Sequence, residues 1–174
     1  KYGPYDEIRE GPTFSPDSTH VAFAVRHGAA WRVILDGRQR GAHPFVFSDS
    51  LTFSPDSRLL AYAAKDDRGE FVVVGGQAGP AHERVGFGPV FSRDGRNMAY
   101  AAATAKRTQA FVVLDGCQGP AYEGIGFGGL HFTAEGAVQY LAVKEDAYYR
   151  VRQVSAESVA ETSRFETDRK ERIR

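Results

Sequence analysis

The chain has 174 residues, with 22 Lys and Arg against 22 Asp and Glu, so its formal net charge is zero. Balanced charge gives no net field to hold a nucleic-acid backbone or an anionic membrane surface, and no apolar run reaches the roughly 18 residues of a spanning helix. The single cysteine, Cys117, makes neither an internal disulfide nor, alone, a zinc site. Nineteen glycines and eight prolines among short aromatic and β-branched runs predict many tight turns and an all-β fold, and the length suits one domain. The chain opens on Lys1-Tyr2-Gly3 with neither a start methionine nor a basic-then-apolar leader, and it reads as processed, trimmed or incomplete.

Gly3-Pro4-Tyr5-Asp6 matches Gly79-Pro80-Ala81-His82-Glu83 and Gly119-Pro120-Ala121-Tyr122-Glu123, with Gly41-Ala42-His43 at the same place in another unit. The first ten residues therefore read as the end of a repeat whose start lies elsewhere. Phe14-Ser15-Pro16-Asp17-Ser18 recurs as Phe53-Ser54-Pro55-Asp56-Ser57, Phe91-Ser92-Arg93-Asp94-Gly95 and Phe132-Thr133-Ala134-Glu135-Gly136. A spacing of about 39 residues is the period of propeller blades or other arrays. Each mark follows a short apolar strand, a, and opens a turn in which Pro presets φ, Ser and Asp bond nearby backbone, and Gly95 and Gly136 take positive φ.

Strand b follows as Val21–Val25, Leu60–Ala64, Met98–Ala102 and Gln139–Val143. In the first three copies small alanines alternate with a large side chain, which makes one face flat and the other bulky; Tyr140 breaks that pattern in the fourth. Strand c (32–35, 71–74, 111–114 and 148–151) is apolar on both faces, as in a sheet stacked between sheets. Asp36-Gly37, Gly75-Gly76 and Asp115-Gly116 then predict tight hairpins into strand d, which ends near Phe47, Phe87 and Phe127. The fourth unit lacks such a turn, so the strand order reads d-abcd-abcd-abcd-abc over 1–153, with a charged tail over 154–174.

That arithmetic predicts a β-propeller of four blades, the last one closed by the N-terminal strand Tyr5 to Glu10. A half-ring that dimerises and a fragment of a longer chain are the alternatives. The repeat, Phe-Ser-Pro-Asp followed by an Ala-Tyr strand and an apolar strand ending in Asp-Gly, resembles the WD-like repeats of TolB-type β-propellers. The resemblance covers residues 1 to 153. It implies protein–protein interaction, often outside the cytoplasm of bacteria.

Site chemistry is sparse. No Gly-x-Ser-x-Gly elbow stands beside His20, His27, His43, His82 or His131, and Ser15, Ser54 and Ser92, repeated in three turns, read as structural, so no catalysis is expected. Asp17, Asp56, Asp94 and Glu135 would form a ring of oxygen ligands if they converged, but their position favours turn capping. Asp66-Asp67-Arg68 reads as a solvated hairpin tip, and His43 and His82 as packing residues where other copies carry Tyr5 and Tyr122. Gly124-x-Gly126-x-Gly128-Gly129 opens no helix and is not a nucleotide fingerprint, so no cofactor is expected. The departures from the repeat are Trp31-Arg32 and the tail, with Val154, Val159, Phe165 and Ile173; these are the candidate contacts for other protein subunits. The expected function is a non-catalytic interaction module, an accessory subunit of an extracytoplasmic or membrane-associated assembly. The alternative is a ligand-binding or enzyme-gating propeller cut from a longer chain.

Overall fold

A computed structural model describes residues 4–47, 49–104, 106, 108–126, 128–155 and 171–172. Among them the chain is all-β, with four antiparallel sheets and no helix. It divides into two compact units, Lys1–His82 and Glu83–Arg174.

In the first unit, β1 (Glu7–Phe14), β2 (Val21–His27), β3 (Ala30–Leu35) and β4 (Arg38–His43) form one sheet in that order. The second sheet is ordered the same way, but its first strand is split into β5 (Phe45–Val46) and β6 (Thr52–Phe53). Both halves pair with β7 (Leu60–Asp66), followed by β8 (Gly69–Val74) and β9 (Gln77–Ala78). The second unit repeats the scheme. Its third sheet has β10 (Arg84–Val85) and β11 (Val90–Phe91) against β12 (Met98–Ala103), then β13 (Ala110–Leu114) and β14 (Cys117–Gln118). Its fourth has β15 (Gly124–Ile125) and β16 (His131–Phe132) against β17 (Val138–Lys144), then β18 (Ala147–Gln153) and β19 (Glu171–Arg172).

The repeated turn explains the regular spacing. Ser18, Ser57, Gly95 and Gly136 all take positive φ, and each donates its amide to the carbonyl three residues back. The Ser15, Ser54 and Ser92 hydroxyls each donate to the Asp two residues on at 2.6 Å and accept the amide that leads into strand b at 2.9 Å. The Asp-Gly hairpins have positive φ at both central residues, Asp36-Gly37 and Asp115-Gly116. Their aspartates also reach across to accept the amides of Val21 and Met98.

Three sequence expectations are corrected. The N-terminal segment does not complete the fourth sheet. Glu7–Arg9 pairs with β2, in the register Glu7↔Arg26 to Arg9↔Ala24. Local electrostatics holds it there: Glu7 accepts from Arg26 Nε at 3.0 Å, and the Asp6 carboxylate caps the Gly28 amide at the hairpin tip. The same crossing occurs in every sheet, since Phe45, Arg84 and Gly124 pair with Lys65, Ala103 and Val143. Strand d thus ends at His43, His82 or Tyr122, opposite Trp31, Glu70 or Ala110. Phe47, whose amide bonds the Ala63 carbonyl, belongs to the next sheet's first strand; Phe127 lies outside the described residues.

The second correction is that the fourth sheet does have an outer strand, β19, which pairs at Tyr149↔Arg172 and Arg150↔Glu171. The third is register. Phe132 pairs with Val138 as Phe14, Phe53 and Phe91 pair with Val21, Leu60 and Met98. Strand b of the fourth sheet therefore starts at Val138, one residue earlier than the sequence suggests. Tyr140 then stands level with Phe23, Tyr62 and Tyr100, keeping the pattern, and the departures are Gln139 and Leu141.

Inside each unit a flat alanine face packs on the bulky face of the next sheet. In the first, Ala22, Ala24, Trp31 and Val33 meet Leu60, Tyr62, Ala64, Phe71 and Val73. In the second, Ala99, Val112 and Leu114 meet Val138, Tyr140, Ala142 and Val151. Fully burying one such large side chain contributes about 1.5–3 kcal/mol. The strand-d glycine makes room for the tyrosine head. A Cβ on Gly41 would run into the Tyr62 hydroxyl, which bonds His43 Nε2 at 3.1 Å. At the matching place in the second unit, Gly119 lies against the Gln153 amide, which accepts from the Tyr140 hydroxyl at 3.3 Å.

Candidate functional site

Of the expected contact residues, Trp31, Arg32 and Val154 lie among the described residues. Trp31 is 4 % exposed and lies in the first unit's core, with the Arg9 guanidinium 4.1 Å above its ring and 4.7 Å from that of Phe45. The indole thus offers its surroundings a stacked cation in place of its own surface. Arg32, level with Phe71 and Phe111 on strand c, is half-buried, as is Val154 just past β18. Val159, Phe165 and Ile173 lie outside the described residues.

The acids of the repeat do not converge on a cation. Asp17, Asp56 and Asp94 each bind their own turn, and the neighbouring serine hydroxyl, with a backbone amide behind it, holds each carboxyl below the usual range. In the fourth turn, one residue shorter, the Thr133 hydroxyl plays the serine's part and holds the Glu135 carboxyl below its usual range. No group of three or more His, Cys, Asp or Glu side chains is placed to hold a metal ion among the described residues. At the hairpin tip Arg68 Nε and Nη2 both donate to Asp66 Oδ2, at 3.0 and 2.7 Å.

The histidines play separate parts. His20 pairs with Asp36 at 2.7 Å. His43 packs against Tyr62 and edge-on to Phe71; burial lowers its pKa, against the pull of Asp66, and pushes Tyr62 up to about 12. Burial also lowers the pKa of His82. His131 is exposed and places Nε2 2.6 Å from the Gly128 carbonyl.

What sequence reasoning missed lies on the fourth sheet. Where the first sheet sets Ala22 and Ala24 opposite Leu35 and Val33, and the second and third repeat this with alanine against valine or leucine, the fourth sets Gln139 opposite Arg152 and Leu141 opposite Arg150. His131 stands beside Gln139 on the adjoining strand. A shallow cavity of about 360 Å³ lies here, lined by Gly128, Gly129, His131, Gln139, Tyr140, Leu141 and Arg150. The signal was present in the sequence: aligning Tyr140 with Tyr62 and Tyr100 makes Gln139 and Leu141 the outliers.

These features define an all-β repeat protein of four antiparallel sheets, each with its strands in chain order. Among solved structures the chain is similar to TolB from Acinetobacter baumannii, with a TM-score of 0.48 and 13 % identity over 85 % of this chain and 41 % of that one. The chain spans about two fifths of the length of that protein. No protein-family model matches the sequence, and no curated protein does. Among the described residues no helix is long and apolar enough to cross a membrane.

Proposed function

We propose that the chain is a non-catalytic protein–protein interaction module whose four sheets are blades of the propeller type. Its C-terminal segment docks on another subunit, and the assembly it serves is extracytoplasmic or membrane-associated. The observation that carries this reading is the exposed outer edge of the sheets: β4, β9 and β14 stand last in their sheets, and residues 38–40, 77–78 and 117–118 along them are exposed. An outer edge of this kind leaves main-chain groups for an added strand, one of the ways a sheet recruits a peptide.

The test is a photoreactive amino acid at Phe165 in the chain expressed in its native host. A single discrete cross-linked subunit, lost on deleting 154–174, is the expected result. No adduct, together with unchanged sedimentation of the deleted chain, refutes the proposal.

A further inference from the structure

We infer that the face of the fourth sheet that carries Gln139, Leu141 and Arg150 is a binding site for a small hydroxylated carboxylate such as a sugar acid. The inference is independent of the interaction reading and rests on the juxtaposition of Arg150, Gln139 and His131 around one cavity.

The departure is concentrated at one place. The equivalents of Gln139, Leu141 and Arg150 are Ala22, Ala24 and Val33 in the first sheet, Ala61, Ala63 and Val72 in the second, and Ala99, Ala101 and Val112 in the third. All nine of those are buried, at no more than 3 % exposure. Three apolar positions have become an amide, a larger aliphatic side chain and a guanidinium, all reached through one regular antiparallel register. The other three sheets bury these positions, whereas in the fourth Arg150 is exposed and Gln139 and Leu141 are half-buried. The cavity of about 360 Å³ that results is within the range of small-ligand sites, roughly 300–1,000 Å³.

The polar groups specify the ligand. Arg150 is exposed and presents a planar fork of donors that matches a carboxylate in two parallel hydrogen bonds. His131 Nε2 lies 2.6 Å from a carbonyl oxygen, which only accepts, so that nitrogen carries the proton. In the neutral ring Nδ1 is then an acceptor, suited to a ligand hydroxyl. The Gln139 amide both donates and accepts. Leu141, half-buried between them, supplies an apolar surface for ligand carbons. The Tyr140 hydroxyl is committed to Gln153 on the other face. A carboxylate for Arg150 and hydroxyls for His131 and Gln139 together describe a polyhydroxy acid better than a bare phosphate or a neutral sugar.

Saturation-transfer NMR on the full chain tests this with D-glucuronate as the probe, and with D-glucose, inorganic phosphate and a short glutamate-containing peptide in parallel. Glucuronate is expected to bind with Kd of about 1 mM, glucose to give no signal, and phosphate and the peptide to bind at least several-fold more weakly. Arg150→Gln, at an exposed position, should keep the native Tm and weaken glucuronate about tenfold or more. Gln139→Ala, which restores the residue of the other sheets, should weaken it less. Four results each overturn the inference: no glucuronate signal at about 10 mM, undiminished binding to folded Arg150→Gln, glucose binding as tightly, or phosphate or the peptide binding at least as tightly as glucuronate. The last would leave a simple anion contact or a protein-docking surface.

Discussion

Substituting Gly41 tests the packing rule that joins the sheets of the first unit. A methyl on Gly41 points at the Tyr62 hydroxyl, with His43 Nε2 at 2.9 Å and Tyr62 Cζ at 3.5 Å. Its backbone is not in the left-handed region, so Gly41→Ala is not strained in φ and gains about 0.4–1 kcal/mol from the stiffer unfolded chain. Forcing a methyl into a filled site costs about 1–3 kcal/mol, which leaves a net loss of about 1–2 kcal/mol. Tyr62→Phe removes the bond to His43 and costs about 1 kcal/mol. In the double variant the methyl occupies the space the hydroxyl vacated, and the His43 ring, no longer tethered, can shift. The two losses should therefore not add: the double variant should lie about 1–2 kcal/mol above their sum. Urea unfolding at constant m measures it, and Tm should move by about 2–4 °C for each kcal/mol in a chain this size. Additivity within about 0.5 kcal/mol refutes the claim that the glycine is there for the tyrosine head.

The remaining predictions concern the turns and pH. Ser54→Ala, at a side chain with no exposure, leaves the Leu59 amide without its acceptor and should cost about 1–3 kcal/mol in the same assay; a loss under half of that would show that water replaces the hydroxyl. Asp115 sits at φ 50°, so Asp115→Ala should be less stable than Asp115→Gly by about 1 kcal/mol, although both lose the bonds to Asn97 and Met98. For pH, burial lowers the pKa of His43 and His82 from their ordinary 6.5, so the unfolded chain binds more protons just below that value. Stability is then fully present above about pH 6.5 and declines as pH falls toward the depressed values. The lowered carboxyls of Asp17, Asp36, Asp56 and Asp94, ordinarily 3.8, add a separate loss only at about pH 4 and below. A unfolding midpoint flat from pH 7 to about 5 refutes the histidine part, and His43→Asn should shrink that first decline.

The repeat was readable because its turns are local chemistry. A serine that bonds the aspartate two residues on, and an Asp-Gly pair with both φ positive, need no information from distant residues, so four marks located four sheets. What the marks could not convey is which sheet a strand joins. Arg84–Val85 follows a Gly-Pro element that looks like one continuous outer strand, but the chain crosses to the next sheet after His43, His82 or Tyr122, and only the partner residues on strand b reveal it. The register error in the fourth sheet has an equally physical cause. The turn from Phe132 to Val138 is one residue shorter than that from Phe14 to Val21, and in a strand a shift of one residue exchanges the two faces. Read one residue late, Tyr140 is the anomaly and Gln139 is unremarkable. In the true register Tyr140 is the ordinary core residue, bonded to Gln153 as Tyr62 is to His43, and the anomalies gather on the opposite face as Gln139, Leu141, Arg150 and Arg152. The difference between a scaffold blade and a candidate site thus rests on the length of a single turn, because that length decides which side chains each face of the sheet carries.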